Sequence, residues 1–461
     1  MARGFKGGIR PNDSKTRISS IPIHELDGTA EHVYPLRQHI GAMLESAVEV
    51  GECVLVGQKI ADLDELNPPL FASVSGKVSA IEPRLHPDGS MVRSIIIEND
   101  MRYEVHGSVC PKGKLKELSP QDIIHIVREA GIVGMGGECY PTHIKLQPQK
   151  DKEIDCVIIN GTECEPYLTG SYRLMLESPE LLVYGMRAVM RVFGLSKGHI
   201  AIEADKRAAI KAVKTKLAGK YGIKINKLRT RYPQGSEKHL IYAVTGREIP
   251  HGKTPADVGV VVINADTAAA IATAIKTGMP LIRRTVTVAG TAIAKPANFN
   301  VRLGASFEYL VEKAGGFKGE PTKVIMGGPM RGIAQSCLQV PVVKGTSAVL
   351  VFGESSATHA GHKMRKRYNP RSGHCVRCGK CADVCPMRLM PMNISLYAQR
   401  IAAAPKESLE MCEKYGADDC MECGACSYMC PGQQHPLKFI RVAKKAMAEK
   451  QPSAENQQIK E

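Results

Sequence analysis

The sequence predicts a multidomain chain of mixed α/β and α+β class: a small β unit first, an α/β unit next, then a small α+β unit and a cysteine-rich unit. Three observations carry this. The chain has 461 residues, more than one hydrophobic core organises, because single cores stop growing below about 300 residues. Short β-branched runs broken by Gly, Asn and Pro give way, past about residue 120, to alternating strand and helix periodicity. One four-cysteine phrase occurs twice, as CVRCGKCADVCP at 375–386 and CMECGACSYMCP at 420–431.

Composition narrows the class of function. The formal charge is +16, but aromatic residues make up only 5% of the chain and Trp is absent, so stacking platforms are scarce and no nucleic-acid partner is expected. A basic surface suits an acidic protein partner or an anionic membrane face equally well. No run approaches the ~20 apolar residues of a membrane span. The opening MARGFKGGIRPNDSK is basic without the apolar stretch of a secretory signal. A protein on the cytoplasmic side with no transmembrane segment is expected. Eight of the fifteen cysteines fall in two compact groups, which in such a chain reads as metal binding rather than disulfides.

Residues 1–118 are assigned to the β unit. Within it, SAVEVGECVLVGQKIADLDELNPPLFASVSGKVSAIE at 46–82 alternates short strands with turn residues and predicts a small sandwich or barrel. The pattern resembles biotinyl/lipoyl-like barrel-sandwich domains, whose cofactor sits on a Lys at a hairpin tip. The corresponding turn, ADLDELNPPL, has no Lys, so a scaffold is expected rather than a swinging arm.

Residues 119–280 form the α/β unit. CVIIN at 156–160 is a buried-strand run, PELLVYGMRAVMRVFG has apolar residues at helical spacing, HIAIEA is again a strand, and KRAAIKAVKTKLAGKYG is a helix ending in Gly. Residues 281–353 follow as a small α+β unit, with strand-like RTVTVAG and TKVIMGGPMRG around helical SFEYLVEKAGG. Residues 354–450 hold a polar, basic linker and the cysteine unit; residues 451–461 are polar and expected to fray.

Both cysteine groups read C-x2-C-x2-C-x3-C-P, and each cysteine has a counterpart 45 positions on. This is the two-cluster ferredoxin run for [4Fe-4S] clusters, in which three thiolates hold one cluster and the fourth reaches across to the other. Cys375, Cys378, Cys381 and Cys430 are therefore expected on one cluster, and Cys420, Cys423, Cys426 and Cys385 on the second. Zinc is the competing reading, but zinc sites pair two separated C-x2-C groups and need no three thiols at i, i+3, i+6. Gly379, Ala382, Gly424 and Ala425 leave room for backbone amides near the sulfurs. Cys412 fits no spacing rule and is left out. Cys53, Cys110, Cys156 and Cys337 are expected to be packing residues. Two clusters this close make a path for single electrons.

Such a path needs a source. GIVGMGGECYPTHIKL at 131–146 holds four glycines within seven residues, the composition of loops that bring backbone N–H groups to a phosphate or ring, and of ordinary tight turns as well. IINGTECEP at 158–166 is a strand end followed by Glu163 and Glu165, which in an extended turn point the same way. Ligands of open α/β sheets sit beyond such strand ends. YPQGSEKHLIYAVTG at 232–246 opens an apolar helix with Gly-Ser-Glu, a helix start suited to a nucleotide.

On these motifs the chain resembles a known family. Residues 131–145 look like the GLRGRGGAGFPTGLKW loop of the flavin subunit of respiratory complex I, NGTECEP like its NADESEP, GSEK stands where it has GEE, and VVINADTAAAIA at 261–272 is similar to its NNVET segment. The order of barrel-sandwich unit, flavin-subunit-like α/β unit, β-grasp-like (SLBB) unit and two-[4Fe-4S] ferredoxin unit resembles the C subunit of the Rnf/Rsx ion-translocating electron-transport complex. The likeness runs from GGI at 7–9 to about residue 445.

The resemblance implies noncovalent FMN against Gly134, Gly136 and Gly137, with Pro141 and Thr142 shaping the turn and Lys145 near the flavin or its phosphate. It implies Asn160 on the isoalloxazine, Glu163 and Glu165 as catalytic residues at the flavin and nicotinamide pocket, Glu237 and Lys238 flanking the ribose or phosphates of NAD(H), and Asn264 facing the FMN phosphate. The chain departs from the pattern where Glu138 and Cys139 replace an Ala-Gly pair, Tyr140 a Phe and Thr162 an Asp.

The function so implied is exchange of hydride between NAD(H) and FMN, with single electrons passing through two [4Fe-4S] clusters to or from ferredoxin and the other membrane and peripheral subunits of the complex. The chain would sit peripherally on the cytoplasmic side of the inner membrane. Two alternatives stand beside it: a complex that reduces a redox-sensing regulator, and an electron-relay scaffold whose own NADH site is lost through Glu138 and Cys139. The run 363–371, with five basic residues, reads as a dock for an acidic partner or membrane, or as a solvated linker. The closing PLKFIRVAKKAMAEK has Leu437, Ile440, Ala443 and Met447 on one stripe, expected to pack on its own domain rather than on a bilayer.

Overall fold

The computed structural model describes residues 4–148, 151–354 and 375–450; the basic run 363–371 and residues 451–461 lie outside them. In the β unit, short apolar runs flanked by turn residues form two antiparallel sheets. One orders Glu31–Pro35, Met91–Asn99, Gly76–Leu85 and Cys53–Val54; the other orders Glu45–Ser46, Lys59–Asp62 and Leu70–Phe71. Their inner residues, among them Tyr34, Ile60, Leu70 and Ile95, share one core with Val286, Phe299 and Leu303 of the third unit. The hairpin tip is fastened: Arg128, in the helix Pro120–Glu129, donates to Asp62 Oδ1 at 3.0 Å and to the Asp64 carbonyl at 2.7 Å.

The α/β unit is a four-stranded parallel sheet in the order Ile223–Leu228, Gly198–Glu203, Cys156–Asn160, Val260–Asn264. CVIIN and VVVIN are apolar almost throughout because both faces of a parallel sheet are covered. The helices Pro120–Glu129, Pro179–Val192 and Ala265–Thr277 pack on it through Val127, Met186, Val189, Ala268 and Ile271. A Cβ at Gly185 would strike the Ala268 carbonyl, so two of these helices meet backbone to backbone. The register sets Asn160 beside Asn264 on one side and Ala201 on the other, which aligns Asn160, Asn264 and Glu203 along the carboxyl edge.

The third unit is a six-stranded sheet ordered Ile23–Glu25, Ala297–Arg302, Arg283–Ala289, Ala348–Gly353, Pro321–Met326, Ile333–Gln335, with the helix Phe307–Lys313 against it. Its first strand comes from the start of the chain. Before that strand, Ile9 exchanges backbone hydrogen bonds with Tyr232 at 2.8 and 2.9 Å, and Gly8 N–H donates to the Val384 carbonyl at 2.8 Å. The opening segment thus ties other units together. Lys344 adds a second tie, its fully buried ammonium donating to the Pro69 and Gly131 carbonyls at 2.8 Å each.

The iron–sulfur unit repeats in its backbone as in its sequence. Arg377, Gly379 and Arg388 take positive φ, and so do Glu422, Gly424 and Gln433, each 45 residues later. Pro391–Ala398, Pro405–Lys414 and Pro436–Lys450 form its helical part, where Ile440 and Ala443 are buried with Cys412 and Met447 packs against them. The apolar stripe therefore packs on its own domain. Cys156 is buried and Cys337 half-buried, but Cys53 and Cys110 are exposed and pack in no core: Cys53 lies on the edge strand Cys53–Val54 and Cys110 in a loop. Among the described residues no helix is long and apolar enough to cross a membrane.

Candidate functional site

Beyond the carboxyl edge of the parallel sheet lies a cleft of about 540 Å³, within the size range of small-molecule sites. Three units wall it. The α/β unit contributes Gly134, Gly136, Lys145, Asn160, Glu163, Glu165, Glu237, Lys238 and Asn264, the third unit Arg284 and Arg331, and the iron–sulfur unit Cys420, Glu422 and Lys444. Of the residues expected there, Gly137 and Thr142 do not line it. Gly137 turns the loop at φ 104, and Thr142 is buried at the start of the short helix Thr142–Lys145. A second cleft, of about 490 Å³, shares Met135, Asp266 and Thr285 with the first.

The glycine loop closes on itself. Gly134 N–H donates to the Tyr140 carbonyl at 2.8 Å, and Cys139 N–H to the Gly134 carbonyl at 3.1 Å. Met135 N–H is held by Thr267 Oγ1 at 2.9 Å. A Cβ at Gly136 would lie 2.6 Å from Asn264 Nδ2, so only glycine leaves that amide in place. Cys139 has φ 55, a left-handed conformation that suits the glycine of the family pattern. Its side chain lies against Gly345 rather than among the cleft residues. Glu138 reaches across to Arg331 at 3.3 Å.

The carboxylate turn is organised by its neighbours. Asn160 Nδ2 donates to the Gly235 carbonyl at 2.9 Å, while its Oδ1 accepts from Thr162 N–H at 3.1 Å and Thr162 Oγ1 at 2.6 Å. This fixes the turn against the start of the helix Glu237–Thr245. Glu163 Oε1 accepts from Ser171 N–H at 2.9 Å; its Oε2 is buried with no hydrogen-bond partner among the described residues. Burial raises the Glu163 carboxyl above the usual range, with Lys15 opposing. Glu165 is likewise raised by burial, and its Oε2 accepts from Met330 N–H at 3.1 Å. Lys145 bridges Glu237 Oε1 at 2.7 Å and the Val262 carbonyl at 3.1 Å. Lys238 pairs with Asp419 of the iron–sulfur unit at 3.7 Å.

In the iron–sulfur unit, Cys385, Cys420, Cys423 and Cys426 surround one small cavity together with apolar Pro386, Leu389, Leu437 and Ile440. Cys385, from the first group, stands with three thiols of the second. In the other set Cys430 is close enough to Cys381 to add to the raising effect of burial on its thiol, while Cys375 and Cys378 are exposed. The Leu389 amide lies 3.3 Å from Cys385 Sγ, and 45 residues on the Gln434 amide lies 3.3 Å from Cys430 Sγ.

Several site residues carry no sequence signal. Lys15 donates to the Glu163 carbonyl across 148 positions. Tyr232, buried, donates to the Cys423 carbonyl at 2.6 Å, and the same hydroxyl lies 3.4 Å from Glu165 Oε1, linking the cleft to a cluster loop. Lys444 donates to the Cys420 carbonyl at 2.9 Å and to Glu422 at 3.0 Å.

Residues 3–102 match the RnfC barrel sandwich hybrid domain, 127–273 the Nuo51 FMN-binding domain, 285–334 the SLBB domain and 374–433 the 4Fe-4S dicluster domain. The chain is 42% identical over 442 residues to the C subunit of the Na⁺-translocating ferredoxin:NAD⁺ oxidoreductase complex of Acetobacterium woodii, covering 96% of each chain. It is 42% identical over 402 residues to the proton-translocating counterpart of Clostridium ljungdahlii, covering 87% of this chain and 85% of that one. It is 38% identical over 411 residues to the C subunit of the ion-translocating oxidoreductase complex of Rhodobacter capsulatus, covering 88% and 77%. In fold it is similar to a chain of air-oxidised NAD⁺-reducing [NiFe]-hydrogenase, at 18% identity and a TM-score of 0.50 over 75% of this chain and 68% of that one.

The donor sets fit the groups these matches name. Four thiols around an apolar cavity, with amides directed at sulfur, suit an iron–sulfur cluster. A roomy cleft with glycines packed against the Asn264 and Thr162 side chains, carboxylates and a lysine suits a flavin mononucleotide.

Proposed function

The chain belongs to the family of C subunits of ion-translocating ferredoxin:NAD⁺ oxidoreductase complexes, and we propose that within such an oxidoreductase its cleft is where NAD(H) and FMN exchange hydride, the clusters then carrying single electrons to or from ferredoxin and partner subunits. The shared wall carries this reading: Cys420, Glu422 and Lys444 line the same cleft as the glycine loop and the carboxylate turn. A ligand held there adjoins a cluster-binding loop, so no diffusing carrier is needed between them.

Bound FMN supplies the conversion between two-electron hydride transfer and one-electron transfer. Gly134, Gly136, Asn264, Lys145 and Asn160 would hold it. Glu237 and Lys238, at a helix start, would face the dinucleotide. Glu163 is suited to keep a proton on its buried Oε2, since burial favours the neutral acid. Glu165 is positioned by Met330 and Tyr232. The relay alternative needs Glu138 and Cys139 to close the cleft; Cys139 faces Gly345 instead, and Glu138 lines the cleft paired with Arg331 while about 540 Å³ stays open. Association with membrane subunits at the cytoplasmic face of the inner membrane belongs to the same reading.

The test is anaerobic reconstitution of the full chain with iron, sulfide and FMN, counting both on one sample. Roughly eight irons per chain, one flavin and bleaching of the flavin band by NADH are expected. Eight irons without flavin binding or bleaching would replace this reading by the relay scaffold.

A further inference from the structure

We infer that Arg284 is the counter-charge for a negatively charged oxygen of the flavin, supplied from outside the segment that matches the flavin-binding domain; the inference rests on the flavin reading of the cleft. Arg284 lies on the strand Arg283–Ala289 of the third unit, is 2% exposed, and lies at the wall of the cleft. Two donors are used: Nε to the Thr346 carbonyl at 3.2 Å and Nη2 to the Met135 carbonyl at 3.1 Å. Nη1 is buried with no hydrogen-bond partner among the described residues. Asp266 acts on the guanidinium only through space, and its carboxylate takes a hydrogen bond from Ser171 instead.

Burial lowers the pKa of Arg284, yet a guanidinium titrates so high that it stays charged at working pH. A buried cation with no ion-pair partner is costly in a low-dielectric interior, and a buried donor left unpaired calls for an explanation. Its position supplies one. The carbonyl that it holds belongs to Met135, between Gly134 and Gly136, so the charge stands directly behind the glycine loop. From this buried place in the cleft wall it acts at short range, where Coulomb attraction is weakly screened. The anionic oxygen can come from two places on one ligand: the phosphate ester, or the ring oxygen that gains negative charge when the flavin is reduced.

The experiment uses the full chain with clusters loaded, freed of flavin, in wild-type form and as Arg284→Gln and Arg284→Lys. Affinity for FMN and for riboflavin is read from flavin fluorescence, and the flavin midpoint potential from spectroelectrochemistry. Iron content and circular dichroism report folding, and Gln can still donate to a loop carbonyl. If the phosphate is the partner, Arg284→Gln weakens FMN at least tenfold, leaves riboflavin unchanged, and Arg284→Lys recovers most of the loss. If the ring is the partner, Arg284→Gln weakens reduced flavin at least tenfold more than oxidised flavin, a midpoint potential lower by about 30 mV for a two-electron couple. Equal weakening of FMN and riboflavin at unchanged potential would leave Arg284 as loop support and overturn the inference, as would no change at all. A wild-type chain that binds no FMN would overturn the flavin reading itself, a different result from a wild type that binds FMN beside a Gln variant that binds it identically.

Discussion

Replacing Glu203 by Gln should change how the stability of this chain depends on pH. Glu203 ends the strand Gly198–Glu203, is 2% exposed, and accepts from Glu163 N–H at 3.3 Å. Burial lifts its pKa from 4.5 to about 7, with Lys15 and Lys206 opposing and Asp205 adding to the rise. In the unfolded chain it returns to the ordinary carboxylate value. Between the two values the folded state keeps a proton that the unfolded state has lost. The stability that this group contributes is therefore fully present below about pH 4.5 and is lost as pH rises through about 7. At 1.36 kcal/mol per pH unit, the gap amounts to roughly 3 kcal/mol. Gln mimics the protonated acid and does not titrate. Glu203→Gln should exceed wild type by only about 1 kcal/mol at pH 5 and by up to roughly 3 kcal/mol at pH 8. Urea unfolding of both proteins across pH 5 to 8, followed by far-UV circular dichroism under anaerobic conditions, gives the difference, in which other titrating groups cancel. Parallel profiles would refute the assignment of a proton to Glu203.

Lys344 should act with the opposite sign. Burial lowers its pKa to about 7, so its contribution to stability grows as pH rises from about 7 toward the unfolded value of 10.5, and Lys344→Met should flatten that rise in the same unfolding series. Gly136→Ala should weaken FMN binding at least tenfold with an unchanged melting temperature, because the new Cβ would displace the Asn264 amide while Gly136 itself lies in an exposed loop; flavin fluorescence titration beside calorimetry checks both halves. Cys385→Ala should lose the same cluster as Cys420→Ala and leave the same residual EPR spectrum, whereas Cys430→Ala should match Cys375→Ala. Pairing of Cys385→Ala with Cys375→Ala instead would contradict the exchange of fourth ligands between the groups.

What could be read from the sequence was local. The cysteine ligands lie within a dozen residues of one another in each group, so spacing alone carries them, and the 45-residue repeat returns in the backbone as matched positive-φ residues. CVIIN is a long enough apolar run to declare a buried strand, and its end carries Asn160 and the Glu163 turn, whereas Asn264 is marked only by family likeness. Contacts made by docking one unit on another left no periodic trace. Lys15 reaches the Glu163 turn from the opening segment, Arg284 and Arg331 arrive from the third unit, and Lys444 from the closing helix. The strand Ile23–Glu25 is three residues long, too short for alternation to mark it, and joins a sheet whose other strands begin more than 250 residues later. Of the residues singled out by likeness, Thr142 is buried and Gly137 turns the exposed loop at positive φ, and neither lines the cleft.

The proposed route brings electrons in as hydride in the cleft and out through clusters of the same chain. It is tested most directly by rapidly mixing NADH with the anaerobically reconstituted full chain while following the flavin band and the reduced-cluster EPR signal. Flavin bleaching should come first, and cluster reduction should follow at a rate independent of protein concentration. Clusters that stay oxidised beside reduced flavin, or whose reduction rate rises with protein concentration, would contradict it.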